Sequence, residues 1–155
     1  MRIKERYEGV IGWFKENMPV AESELNYSNP FELLIAVVLS AQCTDKRVNA
    51  VTAELFKKYN TPEQFAKLDQ SELENEIYSC GFYKNKAKNI LNMSKDLLER
   101  FNGEVPSTLE ELTSLAGVGR KTANVVLSEG FKQNAIAVDT HVFRVSNRLG
   151  FSKTD

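Results

Sequence analysis

The feature that most constrains this chain is an apolar segment from Phe31 to Leu39, which follows Asn29-Pro30. Asparagine is a favoured N-cap and proline is favoured in the first helical turn, so this dipeptide predicts a helix running to about Gln42. The side chains are apolar on nearly all sides, and a helix of that kind has to be buried. The segment is shorter than the ~18 apolar residues of a membrane span. We therefore predict a central core helix and no membrane segment.

Helical periodicity and capping residues dominate the rest of the chain as well. The best strand candidate, residues 135–138, is four residues long and has no partner. The predicted fold class is therefore all-α, with about nine or ten short helices. The other helices are predicted at about 3–17, 45–59, 62–67, 71–79, 84–101, 108–115, 120–130 and 140–148, with Thr44, Thr61, Ser71 and Thr108 as start signals.

Composition limits the class of protein without indicating a partner. The 155 residues are 42% hydrophobic and 26% charged, which is typical of a soluble globular protein. The net charge is −1, but the first 80 residues are net negative and the remainder is net positive. A modestly basic half is compatible with a DNA-facing surface and does not establish one.

The N-terminus and the cysteines predict an intracellular protein. The first residues are charged and lack the apolar centre of a signal peptide. Cys43 and Cys80 have no paired spacing, so we expect neither a disulfide scaffold nor a cysteine-built metal site. Each is expected to be a small, buried, apolar residue.

The most informative motif runs from Leu112 to Leu127 and contains Gly117-Val118-Gly119 between two predicted helices. Two glycines allow positive φ and leave no side chain to block close approach. The turn would present backbone N–H groups at a helix N-terminus, which suits a phosphate, and Arg120 and Lys121 follow directly. The alternative is an ordinary helix–turn–helix corner with glycines at the C-cap.

A second informative segment runs from Ala137 to Gly150. Asp139 or Thr140 can cap the helix that follows, and capping alone would account for Asp139. His141 is the single histidine of the chain. On its own it is as consistent with packing or with a surface position as with catalysis.

These two segments, together with Asn29–Asp45 and Gly81–Ala87, resemble the endonuclease III family of DNA glycosylases from about residue 20 to the end. The resemblance implies a helix–hairpin–helix at 108–130 that grips the DNA backbone. It assigns DNA contacts to Gly117, Val118, Gly119, Arg120, Thr140 and His141. The family also implies a cytoplasmic, nucleoid-associated protein of bacterial type, acting on double-stranded DNA with a damaged base or an abasic site.

The resemblance also implies the chemistry. Lys121 matches the family's nucleophile, which attacks C1′ of the damaged nucleoside, and Asp139 matches its acid–base partner. The attack needs an uncharged amine, and a helix N-terminus disfavours positive charge nearby. The resulting Schiff base permits β-elimination, so a lysine implies both glycosylase and abasic-site lyase activity. Related adenine glycosylases usually lack this lysine.

The target base must leave the helix, and the resemblance assigns the gap to two residues. Gln42 matches a polar plug and Phe82 matches an inserted apolar residue that is often leucine in relatives. Without the family, Gln42 reads as a helix-terminal residue and Phe82 as core packing. Lys84, Lys86 and Lys88 are equally consistent with phosphate contacts and with solvated charges.

Relatives in this family continue past the end of this chain and hold a [4Fe–4S] cluster with four later cysteines. Here no cysteine follows Cys80, so we expect a truncated chain, no cofactor or metal in it, and a cluster only in a longer form. The expected organisation is an N-terminal helix of the cluster domain at 1–19, a core at 20–136, and an aspartate-bearing segment at 137–155. We expect weak or lost activity, and self-association of a normally monomeric enzyme through its uncovered N-terminal helix.

Two alternatives remain open from the sequence. One is a non-catalytic helix–hairpin–helix fragment that binds DNA, and the other is a monofunctional glycosylase of the same fold. The preferred damaged base and the presence of an ion at the hairpin carbonyls are not specified by these residues.

Overall fold

The computed structural model describes residues 2–17, 24–133 and 140–151, and all regular structure within these ranges is helical. The chain forms two compact units, one of Met1–Glu22 with Val138–Asp155 and the other of Ser23–Ala137. The helices are α1 Ile3–Asn17, α2 Pro30–Ser40, α3 Asp45–Lys58, α4 Pro62–Ala66, α5 Gln70–Ile77, α6 Tyr83–Arg100, α7 Leu109–Thr113, α8 Arg120–Val125, the π-helical segment Val126–Gly130 that continues α8, and α9 Thr140–Arg148.

Helix α2 is the centre of the larger unit. The Asn29 side chain accepts a hydrogen bond from the Glu32 backbone N–H at 2.9 Å, and Pro30 occupies the first helical position. Every residue from Phe31 to Leu39 is buried. Helices α3, α6 and α8 and the π-helical segment all pack against α2. The prediction of a central buried helix is therefore confirmed.

Helix α6 is the longest described helix, and it packs on α2, α4 and α5. Its buried side chains recur every three or four residues, which is the pattern of a helix with one face in the core. They are Lys86, Ala87, Ile90, Leu91, Met93, Ser94 and Leu97. One of these buried side chains, Lys86, is a lysine.

The smaller unit contains α1 and α9. The Tyr7 and Phe151 rings meet edge to face with centroids 5.7 Å apart, and Arg6 Nη1 donates to the Leu149 carbonyl at 3.4 Å. Helix α1 also carries exposed apolar side chains, among them Trp13 and Phe14. None of the described helices combines the length and the apolar character needed to cross a membrane.

Most predicted helices are confirmed within two residues, but three local details differ. Helix α5 begins after Asp69 rather than at Ser71, because the Glu72 carboxylate accepts the Asp69 backbone N–H at 3.1 Å. The predicted helix at 120–130 changes from α to π at Val126. Helix α2 ends at Ser40, two residues before Gln42. The strand candidate 135–138 lies outside the described residues.

Candidate DNA-contacting surface and hairpin

Two loops at the N-terminal end of α6 bring Gln42 and Phe82 into one region. Gln42 follows the end of α2, and Phe82 is the N-cap of α6. The loops approach closely, since a Cβ built on Gly81 would lie 3.4 Å from the Gln42 carbonyl oxygen. Both predicted gap-filling residues therefore belong to adjoining parts of the larger unit.

Gln42 and Phe82 share an uncommon backbone conformation. Their φ angles are +52° and +56°, in the left-handed region that side chains other than glycine rarely adopt. Such residues persist where the surroundings hold them, and they occur often at functional sites. Gln42 is exposed and Phe82 is 64% exposed, so the reading of Phe82 as a core residue is wrong.

Lys86 joins these loops from inside the protein. Its Nζ donates to the Leu39 carbonyl at 2.9 Å and to the Ala41 carbonyl at 2.7 Å. Both alternatives drawn from the sequence, a phosphate contact and a solvated charge, are therefore wrong for Lys86. A signal was present, because residue 86 falls on the same helical stripe as the buried Ile90 and Leu97.

The hairpin is anchored by the residue between its glycines. Val118 is buried, as are Leu112 and Leu115, whereas Gly117 and Gly119 are exposed. The Val118 N–H donates to the Leu115 carbonyl at 3.2 Å, which closes the turn. Helices α7 and α8 pack against each other on the two sides of this turn.

The two glycines have different roles in the structure. Gly117 has φ of +75°, and a Cβ there would lie 2.7 Å from Asn89 Cβ on α6. Gly119 has φ of −88°, caps α8, and would leave a Cβ with no atom within 4 Å. The sequence is compatible with a positive φ at both glycines, and of the two Gly117 alone adopts one.

One face of α6 thus carries two contacts to other segments. Lys86 and Asn89 lie three residues apart on this face, within the first two turns after the N-cap Phe82. Asn89 was not singled out from the sequence, and its role depends on the close approach of Gly117. The hairpin and both loops are therefore held by the same rigid element.

Lys121 is the second residue of α8 and follows the hairpin directly. It is exposed, as are Arg120 and, on neighbouring elements, Arg47, Lys84 and Lys88. A run of exposed cations around the hairpin and loops is the arrangement that attracts a phosphate backbone.

The remaining predicted site residues lie in the other compact unit. Asp139 lies outside the described residues, so its place beside Lys121 stays a prediction. Thr140 and His141 belong to the start of α9, and their side chains are not described. The structure therefore brings together Gln42, Phe82, the hairpin and the helix of Lys121, and it leaves the contribution of 139–141 as a prediction.

A family model and the sequences of known proteins indicate the same family for this chain. The model of the HhH-GPD superfamily base excision DNA repair proteins matches residues 35–155. An endonuclease III of Bacillus subtilis (strain 168) is 58% identical over 135 residues, which are 87% of this chain and 62% of that protein. The chain thus spans less than two thirds of that relative's length.

Solved structures agree with the sequence match. A non-covalent endonuclease III–DNA complex has a TM-score of 0.92 and 53% identity, covering 99% of this chain and 72% of that one. A trapped endonuclease III–DNA covalent intermediate, an estranged-adenine complex, matches with the same TM-score, identity and coverage. The helical arrangement described above is therefore the arrangement found in these DNA-bound proteins.

Proposed function

Because this chain belongs to the HhH-GPD superfamily of base excision DNA repair proteins, and within it to the endonuclease III family, we propose that it removes oxidised pyrimidines and cleaves abasic sites. We further propose that its partner is double-stranded DNA that carries the damage, and that it acts on the bacterial chromosome in the cytoplasm. The observation that carries the proposal is the exposed Lys121 in the first turn of α8, directly after the hairpin. A relative trapped in a covalent intermediate with DNA supports a nucleophile in such a fold.

The proposed reaction begins with the Lys121 amine and the damaged nucleoside. The nitrogen lone pair forms a bond to C1′ while the bond from C1′ to the base breaks, and the base leaves with the bonding electrons and takes up a proton. Asp139 accepts the proton that the amine gives up. Opening of the sugar ring then leaves an iminium, the Schiff base, between Lys121 and C1′.

The second half of the reaction cuts the strand. The iminium makes the proton on C2′ acidic, and a base removes it. The electron pair left on C2′ forms a double bond to C3′, and the 3′ phosphate departs. Hydrolysis of the iminium returns Lys121 as a free amine, so the protein is both glycosylase and lyase.

The hairpin and the two loops prepare the substrate. The exposed backbone at Gly117 and Gly119 and the Arg120 cation would hold the phosphate backbone without reading sequence. Gln42 and Phe82 would occupy the space that the extruded base leaves, at a cost of a few kcal/mol for unstacking. The gap is filled from the loops, and the chemistry comes from the start of α8.

A [4Fe–4S] cluster does not fit this chain. Such a cluster is held by four cysteine thiolates, and the sequence has two cysteines. Among the described residues, no group of three or more His, Cys, Asp or Glu side chains is arranged to hold a metal ion. We propose that the chemistry of these 155 residues uses amino-acid side chains alone.

Borohydride trapping tests the proposal. A duplex with one abasic site is incubated with excess protein and sodium borohydride, and we expect a covalent protein–DNA adduct that Lys121→Ala abolishes. Lys95→Ala, at an exposed lysine of α6, is the matched control and should trap normally. Binding without any adduct would instead indicate a non-catalytic fragment. On a second duplex that carries an oxidised pyrimidine, base release without an adduct or strand cleavage would indicate a monofunctional glycosylase.

A further inference from the structure

Lys86 is a buried lysine for which the proposed reaction has no use. It is 6% exposed, and its Nζ lies 2.9 Å from the Leu39 oxygen and 2.7 Å from the Ala41 oxygen. A charged amine in the interior carries a large desolvation cost. An apolar side chain would fill the same position without that cost, so the hydrogen bonds of Lys86 require an explanation.

The surroundings reduce that cost but do not remove it. The last carbonyls of a helix form the negative end of its dipole, and an ammonium group there is stabilised. Burial lowers the pKa of Lys86, while the nearby Cys80 and Cys43 thiols act in the opposite direction. The helix end and the thiols therefore favour a cation at this position, while burial disfavours it.

The Ala41 carbonyl is the contact with a structural consequence. A peptide unit is planar, so the hydrogen bond to this oxygen fixes the plane that also contains the Gln42 nitrogen. Ala41 ends α2 with ψ of 117°, and Gln42 follows with φ of +52°. A residue other than glycine is strained in the left-handed conformation and persists there only where its surroundings hold it.

The same lysine belongs to the helix that Phe82 begins. The Lys86 backbone N–H donates to the Phe82 carbonyl at 3.1 Å in the first turn of α6. Its side chain reaches across to the loop of Gln42, whose carbonyl lies beside Gly81. Lys86 thus connects the backbone of one gap-filling residue to the helix that begins at the other.

We propose that Lys86 is a positioning residue for base extrusion, which holds the Gln42 loop beside Phe82 so that the two fill the gap together. The proposal rests on the proposed function, because the gap exists only if the protein extrudes a base. Lys86 acts through Gln42 and touches neither the sugar nor the leaving base. Its loss should therefore affect substrates that have an opposite strand and spare those that have none.

The test compares one lesion in two contexts. The rate of borohydride trapping is measured under single-turnover conditions on an abasic site in a duplex and on the same strand alone. Lys86→Met should lower the duplex rate by at least about 10-fold, because a misplacement near 1 Å can cost about 100-fold, and should leave the single-strand rate within about twofold. Lys95→Met makes the same chemical change at an exposed position of α6 and should change neither rate.

A double substitution shows whether Lys86 works through Gln42. In a Gln42→Ala background, Lys86→Met should cause no further loss on the duplex, because the side chain that Lys86 positions is already gone. If the methionine variant does not fold, Lys86→Arg is a second variant, because it keeps a cation at this position. Lys86→Arg should lower the duplex rate by a smaller factor than Lys86→Met, and only when Gln42 is present.

Each result bears on one proposal. An equal loss on both substrates, or a loss that persists in the Gln42→Ala background, would mean that Lys86 supports the fold generally and would overturn the inference. An unchanged duplex rate in the folded variants would overturn it as well. Failure of the unsubstituted protein to trap either substrate would refute the proposed function and is distinguishable, because it appears before any substitution is made.

Discussion

Replacing Gly117 by alanine should destabilise the larger unit through two separate effects. At φ of +75° an alanine is in the left-handed region, which costs about 1–2 kcal/mol. Its Cβ would lie 2.7 Å from Asn89 Cβ and 3.0 Å from Asn89 Cγ, so α6 or the turn must move, and forced overpacking costs about 1–3 kcal/mol. We expect the free energy of unfolding to fall by about 2–5 kcal/mol.

Gly119 provides a control two residues away in the same motif. Its φ of −88° suits any residue, and an added Cβ meets no atom within 4 Å. Gly119→Ala should therefore change stability by less than about 1 kcal/mol, since alanine restricts the unfolded chain but is a poorer N-cap than glycine. The same methyl group would stand where a phosphate approaches the hairpin, so DNA binding should weaken while stability does not.

Urea unfolding followed by circular dichroism measures both variants on the same scale. Equal free energies of unfolding for Gly117→Ala and Gly119→Ala would refute the reasoning, because the positive φ and the contact with Asn89 are found at Gly117 and not at Gly119. A loss below about 1 kcal/mol at Gly117 would show that the turn can relax, which would remove the argument that Asn89 holds it rigidly.

Two further predictions concern the start of α2 and the buried thiol. Asn29→Ala removes the side-chain acceptor of the Glu32 N–H and should lower the free energy of unfolding by about 1 kcal/mol, whereas Asn29→Asp keeps an acceptor and should preserve stability. Equal losses for the two variants in urea titrations would contradict the capping role of Asn29. Burial raises the pKa of Cys80 from 9.0 to about 11, so above pH 9 the unfolded chain holds fewer protons and stability should fall towards pH 11. Cys80→Ala should flatten that alkaline decline, and an unchanged slope would show that the thiol does not cause it.

The fold could be predicted from the sequence where local signals agreed with burial. Asn29-Pro30 and the apolar run behind it specified α2 because the cap and the hydrophobic pattern indicated the same start. The start of α5 was misplaced because Asp69 and Ser71 are both competent caps, and the reach of Glu72 back to Asp69 decides between them.

The candidate site was less accessible to the same reasoning. Lys121 and the hairpin followed from a motif, but the left-handed backbone at Gln42 and Phe82 has no signature in residue type. The prediction for Lys86 was wrong because Lys84 and Lys88 beside it suggest a solvent-exposed side chain. Only its position on the buried face of α6 indicates that Lys86 is buried. Asn89 depends on a contact between segments far apart in sequence, which periodicity does not report.

The two contacts of α6, at Lys86 and Asn89, limit how the chain length can vary. One residue inserted between Lys86 and Asn89 would rotate the second contact by about 100° relative to the first, so α6 could no longer meet both the Gln42 loop and Gly117. The connection 102–107 after α6 is not helical, and it leaves that register untouched. In this part of the protein, insertions and deletions can therefore be accommodated in the loop after Arg100, whereas the first two turns of α6 act as a fixed spacer.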